Sequence, residues 1–132
     1  DAALAIAWEN AERLSADVVF VKSDCFSALK DEKFDMIISN PPYISDEEMK
    51  ELMPEVLLEP HLALFGGEDG LDFYRRISRE APEHLNDGGW LIFEIGWLQK
   101  DAVCALLREN IGEPFAERDY GGNWRAVGAK KE

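Results

Sequence analysis

Two apolar runs constrain this chain most: FDMIIS at residues 34–39 and WLIFEIG at 90–96. Neither alternates apolar with polar residues, as a strand with one wet face would. Both therefore read as strands buried on two faces, the pattern of a parallel sheet covered by helices. Between and after them lie segments of helical period. In LDFYRRISREAPEHL, Leu71, Tyr74, Ile77, Ala81 and Leu85 share one face, with Pro82 placed to kink or split the helix. In LQKDAVCALLREN, Leu98, Ala102, Val103, Leu106 and Leu107 face inward. Strand and helix alternate, which makes the fold α/β with a mostly parallel sheet.

The flanks extend this reading. AALAIAWENAERL is helical, with Leu4, Trp8, Ala11 and Leu14 on one face and Asp1 placed to cap it. The β-branched run in DVVFVKSD predicts a further strand, and CFSALKDEK a turn or short loop. DEEMKELMPEV predicts a short exposed helix ending near Pro54, and LLEPHLALFGGEDG a long loop. NDGG reads as a turn, and FAERDYGGNWRAVGA as an antiparallel hairpin turning at Gly121-Gly122.

At 132 residues the chain has the length of one domain. Its net charge of -13, from 27 acidic against 14 basic residues, argues against binding phosphate backbones, which requires clustered Lys and Arg. No apolar run reaches the roughly 20 residues of a membrane span. Cys25 and Cys104 lie far apart without metal-ligand spacing, and neither His61 nor His84 has a ligand neighbour. No metal site is read, and the cysteines read as reduced thiols of a cytoplasmic protein.

Ligands of a parallel sheet collect at the carboxyl ends of its strands. Asp24, Asn40 and Glu94 each follow or end a predicted strand. The stretch after the second strand, Asn40-Pro41-Pro42-Tyr43, suits a particular task. An amide or aromatic amine nitrogen is a poor nucleophile, because its lone pair is delocalised. It must be held by both N–H groups with the lone pair aimed at an electrophile. The Asn40 side-chain oxygen and the Pro41 carbonyl are two such acceptors, and the prolines fix the backbone that carries them. Tyr43 offers a flat face to a planar amide or base. The glycines Gly66, Gly67 and Gly70 do not follow a strand at phosphate-loop spacing, and read as loop and helix-start residues. Glu59 is placed either to brace the NPPY loop or to stand as an exposed carboxylate.

These strings resemble a known family. LAIAWENA, KSDCFSAL, FDMIISNPPYI, EPHLALFGGEDGLDFYR, GGWLIFEIGWLQ and RDYGGNWR together resemble the class I S-adenosylmethionine-dependent methyltransferases. Within them they are most similar to the protein-(glutamine-N5) methyltransferases of peptide chain release factors, the HemK/PrmC family. The resemblance implies S-adenosyl-L-methionine as cofactor and a glutamine-bearing loop of a release factor as partner. It implies that Asn40, Pro41, Pro42 and Tyr43 bind the target glutamine, with Asn40, Pro41 and Tyr43 catalytic. Asp24, Cys25, Phe26 and Asn40 would contact the cofactor. It implies a sheet order of 3-2-1-4-5-7-6, of which this chain would supply strands 3, 4, 5, 6 and 7. The family's glycine-rich cofactor loop and N-terminal helical domain would precede Asp1. Residues 1–132 thus read as a partial methyltransferase domain whose sheet lacks its first two strands. Either VVFVKS closes the gap beside FDMIIS, or a second chain covers that edge and makes a homo-oligomer. Two other functions stay open: N-methylation of an exocyclic amine of DNA or RNA, and an inactive truncated fragment that only self-associates.

Overall fold

The computed structural model describes residues 2–132, the side chain of Leu57 excepted. The cap expected at Asp1 lies outside the described residues. The chain divides into two units, Asp1–Asp31 and Glu32–Glu132.

The first unit holds helix α1, Ala2–Leu14, where the helical period predicts it. No side chain of α1 is buried, and Trp8 is 58% exposed rather than packed away. Its ring does meet Phe20, with centroids 4.8 Å apart. VVFVKS is not a strand. A β-branched run satisfies its backbone only when a partner strand lies alongside, and Val18, Val19 and Val21 remain exposed here. The expected closure of the sheet by this run is therefore not what the structure shows.

The second unit carries a four-stranded sheet. β1 is Phe34–Ser39, β2 is Leu85–Glu94, β3 is Pro114–Arg118 and β4 is Trp124–Lys130. Their order is β1-β2-β4-β3, which reproduces the 4-5-7-6 half of the expected order. β1 runs parallel to β2, and β4 pairs antiparallel with both β2 and β3. The parallel character thus rests on one pairing, and the hairpin makes the rest of the sheet antiparallel. β1 is an outer strand, with Met36 49% and Ile38 69% exposed.

The short elements between β1 and β2 are α2 (Asp46–Lys50), a 3-10 turn (Val56–Leu58) and α3 (His61–Leu64). α2 opens on a capping box, in which Ser45 and Glu48 satisfy each other's backbone N–H. α4 spans Asp72–His84 and α5 spans Lys100–Asn110; they pack on each other and on the sheet. Of the predicted face, Tyr74, Ile77 and Ala81 are buried in α4 and Leu85 at the start of β2, beside Leu91, Phe93, Ile95, Val127 and Ala129, while Leu71 is only half-buried at the helix N-cap. In α5 only Val103 and Leu107 are buried; Ala102 is exposed and Leu98, before the helix, is 71% exposed. Helical spacing set their phase, but the sheet is met by a narrower stripe.

Pro82 does not split α4, which runs unbroken from Asp72 to His84. The bond it cannot donate is the one to the Ser78 carbonyl, four residues back. Lys131 Nζ donates to the carbonyls of Pro82 at 2.8 Å and Leu85 at 2.9 Å, supplying partners at the helix C-terminus. NDGG also departs from expectation, because it lies inside β2. Leu85 and Trp90 pair with Phe34 and Met36, so the intervening residues bulge. Backbone bonds from Gly88 and to Gly89 join that bulge to Lys131. No helix among the described residues is long and apolar enough to cross a membrane.

Candidate active site

The parallel pairing of Ser39 with Phe93 brings the carboxyl ends of β1 and β2 to one edge. Asn40 follows the first and Glu94 ends the second, as the sequence predicts. Asp24 follows no strand, because VVFVKS forms none. It lies in the first unit, in a turn that also holds Cys25 and Phe26. Cys25 takes a left-handed backbone with φ 49°. Ser23 Oγ donates to the Cys25 carbonyl at 2.7 Å and accepts from the Ala28 N–H at 3.0 Å. The Asp24 N–H donates to Ser27 Oγ at 3.1 Å.

In the second unit, Asn40, Pro41, Pro42 and Tyr43 line one cavity of about 310 Å³, with Glu59 among its other walls. Pro41 is buried and Asn40 exposed. Among the described residues, neither the Asn40 carboxamide nor the Pro41 carbonyl takes an intramolecular hydrogen bond. Both acceptors thus remain available to a ligand.

The backbone that follows is held tightly. Ile44 bridges to Phe65: its N–H donates to the Leu64 carbonyl at 2.9 Å, and its carbonyl accepts from the Gly66 N–H at 2.9 Å. A Cβ on Gly66 would lie 2.7 Å from both the Pro42 oxygen and the Tyr43 Cα. At Gly70, with φ +75°, it would lie 2.3 Å from the Tyr43 oxygen. Gly66 and Gly70 therefore serve close approach to the NPPY backbone, the loop role predicted over a phosphate cradle.

A residue that sequence reasoning missed completes this frame. Gln99 Nε2 donates to the Tyr43 carbonyl at 2.9 Å and to the Gly70 carbonyl at 3.3 Å. Its Oε1 accepts from the Gly96 N–H at 3.1 Å. The available signal was a polar side chain at the start of an amphipathic helix, three residues past a strand-ending glycine, where it can reach back to backbone.

Beneath the site, the Tyr74 hydroxyl donates to the Glu94 carbonyl at 2.9 Å, and its ring meets Phe93 edge-on at 5.1 Å. Burial, then the neighbouring Tyr43 and Glu94, push the Tyr74 hydroxyl above the ordinary tyrosine range. It therefore stays protonated and serves as a donor, not as a base.

A family model described as the methyltransferase small domain matches residues 1–65. The release factor glutamine methyltransferase of Cereibacter sphaeroides is 53% identical over 98% of this chain and 48% of its own length. That of Geobacter sulfurreducens is 45% identical over 97% of this chain and 46% of its own. The chain belongs to the release factor glutamine methyltransferase family. It spans about half the length of the curated relatives it matches. A methyltransferase from Pyrococcus furiosus shares the fold, with a TM-score of 0.69 at 24% identity over 95% of this chain and 55% of that one. The class I methyltransferase fold expected from the motifs is thus the fold observed. In this family member, the NPPY residues come together at one strand end, and Gln99 joins them.

Proposed function

We propose that this chain carries the glutamine-binding part of an S-adenosylmethionine-dependent enzyme that methylates a glutamine side-chain amide of a peptide chain release factor. The observation that carries it is the pair of uncommitted acceptors, the Asn40 side chain and the Pro41 carbonyl, on a rigid turn at the carboxyl edge of the sheet. A primary amide has two N–H groups, and two fixed acceptors hold both. That grip sets the plane of the amide, and so the direction in which its nitrogen meets an electrophile. Tyr43 lines the same cavity, and its ring is the flat surface offered to a planar group. No strong base is needed, because the nitrogen sheds its proton after attack.

The residues present suit one end of the cofactor. The Asp24 carboxylate would accept from an exocyclic amine, and the Phe26 ring, with Cys25 beside it, would offer apolar surface to a flat base. S-adenosylmethionine, when bound, supplies an electrophilic methyl group. Asn40 is assigned to the donor as well as to the target amide. The net charge of -13 disfavours the alternative of a DNA or RNA amine. A release factor substrate would place the protein in the cytoplasm.

The test uses the full-length protein that carries this chain, labelled cofactor and purified release factor. Asn40→Ala lowers methyl incorporation on the order of 100-fold, the scale of losing one pre-positioned polar group. Wild-type-like incorporation in that variant would refute the assignment.

The outer edge of β1 extends the same reading to self-association. Exposed Met36 and Ile38 on a strand whose outer edge has no strand neighbour among the described residues form a template for a second copy. Light scattering of this chain should give a dimer that Met36→Lys dissociates; a monomer at all concentrations excludes it.

A further inference from the structure

We propose that Gln99 is a positioning residue for the amide pocket, and that its two donated hydrogen bonds set the reactive geometry of the NPPY turn. The inference rests on the functional reading above. Gln99 touches no residue's chemistry directly; it acts through the Tyr43 carbonyl.

Its amide group is used in full. One side-chain nitrogen serves Tyr43 and Gly70, and the oxygen serves the Gly96 N–H. Three chain segments thus converge on one side chain: the NPPY turn, the glycine loop before α4, and the residue pair after β2. Pro41 and Pro42 fix their own φ angles but leave the peptide plane after Tyr43 unset. Gln99 holds that plane at the Tyr43 carbonyl, and the Ile44 bridge to Phe65 holds it at the Ile44 N–H and holds the next plane at the Ile44 carbonyl. With both in place, the cavity wall from Asn40 to Ile44 has little freedom left. Displacing such a wall by about 1 Å can cost on the order of 100-fold in rate.

Only a group of this length, with two donors and one acceptor, fits. Glutamate has the same shape and keeps the acceptor for Gly96, but it turns a carboxylate toward two carbonyl oxygens. Methionine has the length and none of the bonds.

Gln99→Glu and Gln99→Met are compared with wild type in the full-length protein, with Leu107→Ala, a core change in α5, as the stability control. The expected result in both Gln99 variants is a kcat for glutamine methylation lower by about 10- to 100-fold. S-adenosylmethionine affinity stays within about two-fold. Amide exchange at Ile44 and Gly66 rises about ten-fold, while Leu91–Phe93 stays protected. Leu107→Ala is expected to lower the melting temperature and leave kcat unchanged below it. Wild-type kcat in Gln99→Glu, or loss of protection spread evenly across the sheet, overturns the proposal. If the wild-type protein methylates no glutamine, the functional reading fails. The exchange pattern then decides the clamp separately: a local rise keeps it, and no change removes it.

Discussion

Helices α1 and α4 are both 13 residues long, and the more apolar of them is the less buried. α1, AALAIAWENAERL, buries no side chain, with Ile6 59% and Leu14 69% exposed. α4, DFYRRISREAPEH, is crowded with charge, yet buries Tyr74, Ile77, Ser78, Ala81 and His84. Two apolar strand-like runs differ in the same way. FDMIIS pairs with β2, while VVFVKS forms no strand. An apolar stripe states which face of an element is suited to burial. Whether burial occurs depends on a second surface, and Asp1–Asp31 offers a turn and an extended segment where Glu32–Glu132 offers a sheet and α5.

The largest test of this contrast is Phe93→Ala. Phe93 is fully buried, opposite Val127 in the sheet and edge-on to Tyr74. Removing its ring leaves a cavity that α4 and the sheet can close only partly. The expected loss is about 3–5 kcal/mol, measured by urea unfolding followed by far-UV circular dichroism. A loss under about 1 kcal/mol would mean that the second unit lacks the close-packed core that distinguishes it here.

The same contrast explains what was legible in the sequence. FDMIIS was read to the residue as a strand because β2 lies alongside to satisfy its backbone, but the expected burial on both faces is not observed, since Met36 and Ile38 are exposed. The hairpin was read because Gly121-Gly122 admits the turn, and Gly122 indeed takes φ +84°. The buried stripe of α4 followed from its period. VVFVKS was misread because strand propensity describes a side chain's fit to a sheet, not the existence of one. NDGG was misread because the turn signal is real but local, whereas bonds to Lys131, over 40 positions away, fold it into β2 as a bulge. At the site, Asn40 to Tyr43 were found because their chemistry sits in consecutive residues. Gln99 was not, because its partners, Tyr43 and Gly70, are 56 and 29 positions away.

The smallest expected effect belongs to Trp8→Ala in the first unit. Two terms oppose each other there. The tilted contact with Phe20 at 4.8 Å is of a kind that contributes about 0.5–1.5 kcal/mol beyond area. Yet the indole is more than half exposed, so much of its apolar surface is wet in the folded chain and contributes no transfer term. The exposed fraction decides, and the net change is expected to be about 1 kcal/mol or less. The measurement is the same urea titration, so Trp8→Ala and Phe93→Ala are read on one scale. If Trp8→Ala costs as much as Phe93→Ala, the exposed helix is held by a real aromatic core around Trp8 and Phe20. The distinction between a stripe that has found its surface and one that has not would then be wrong for this molecule.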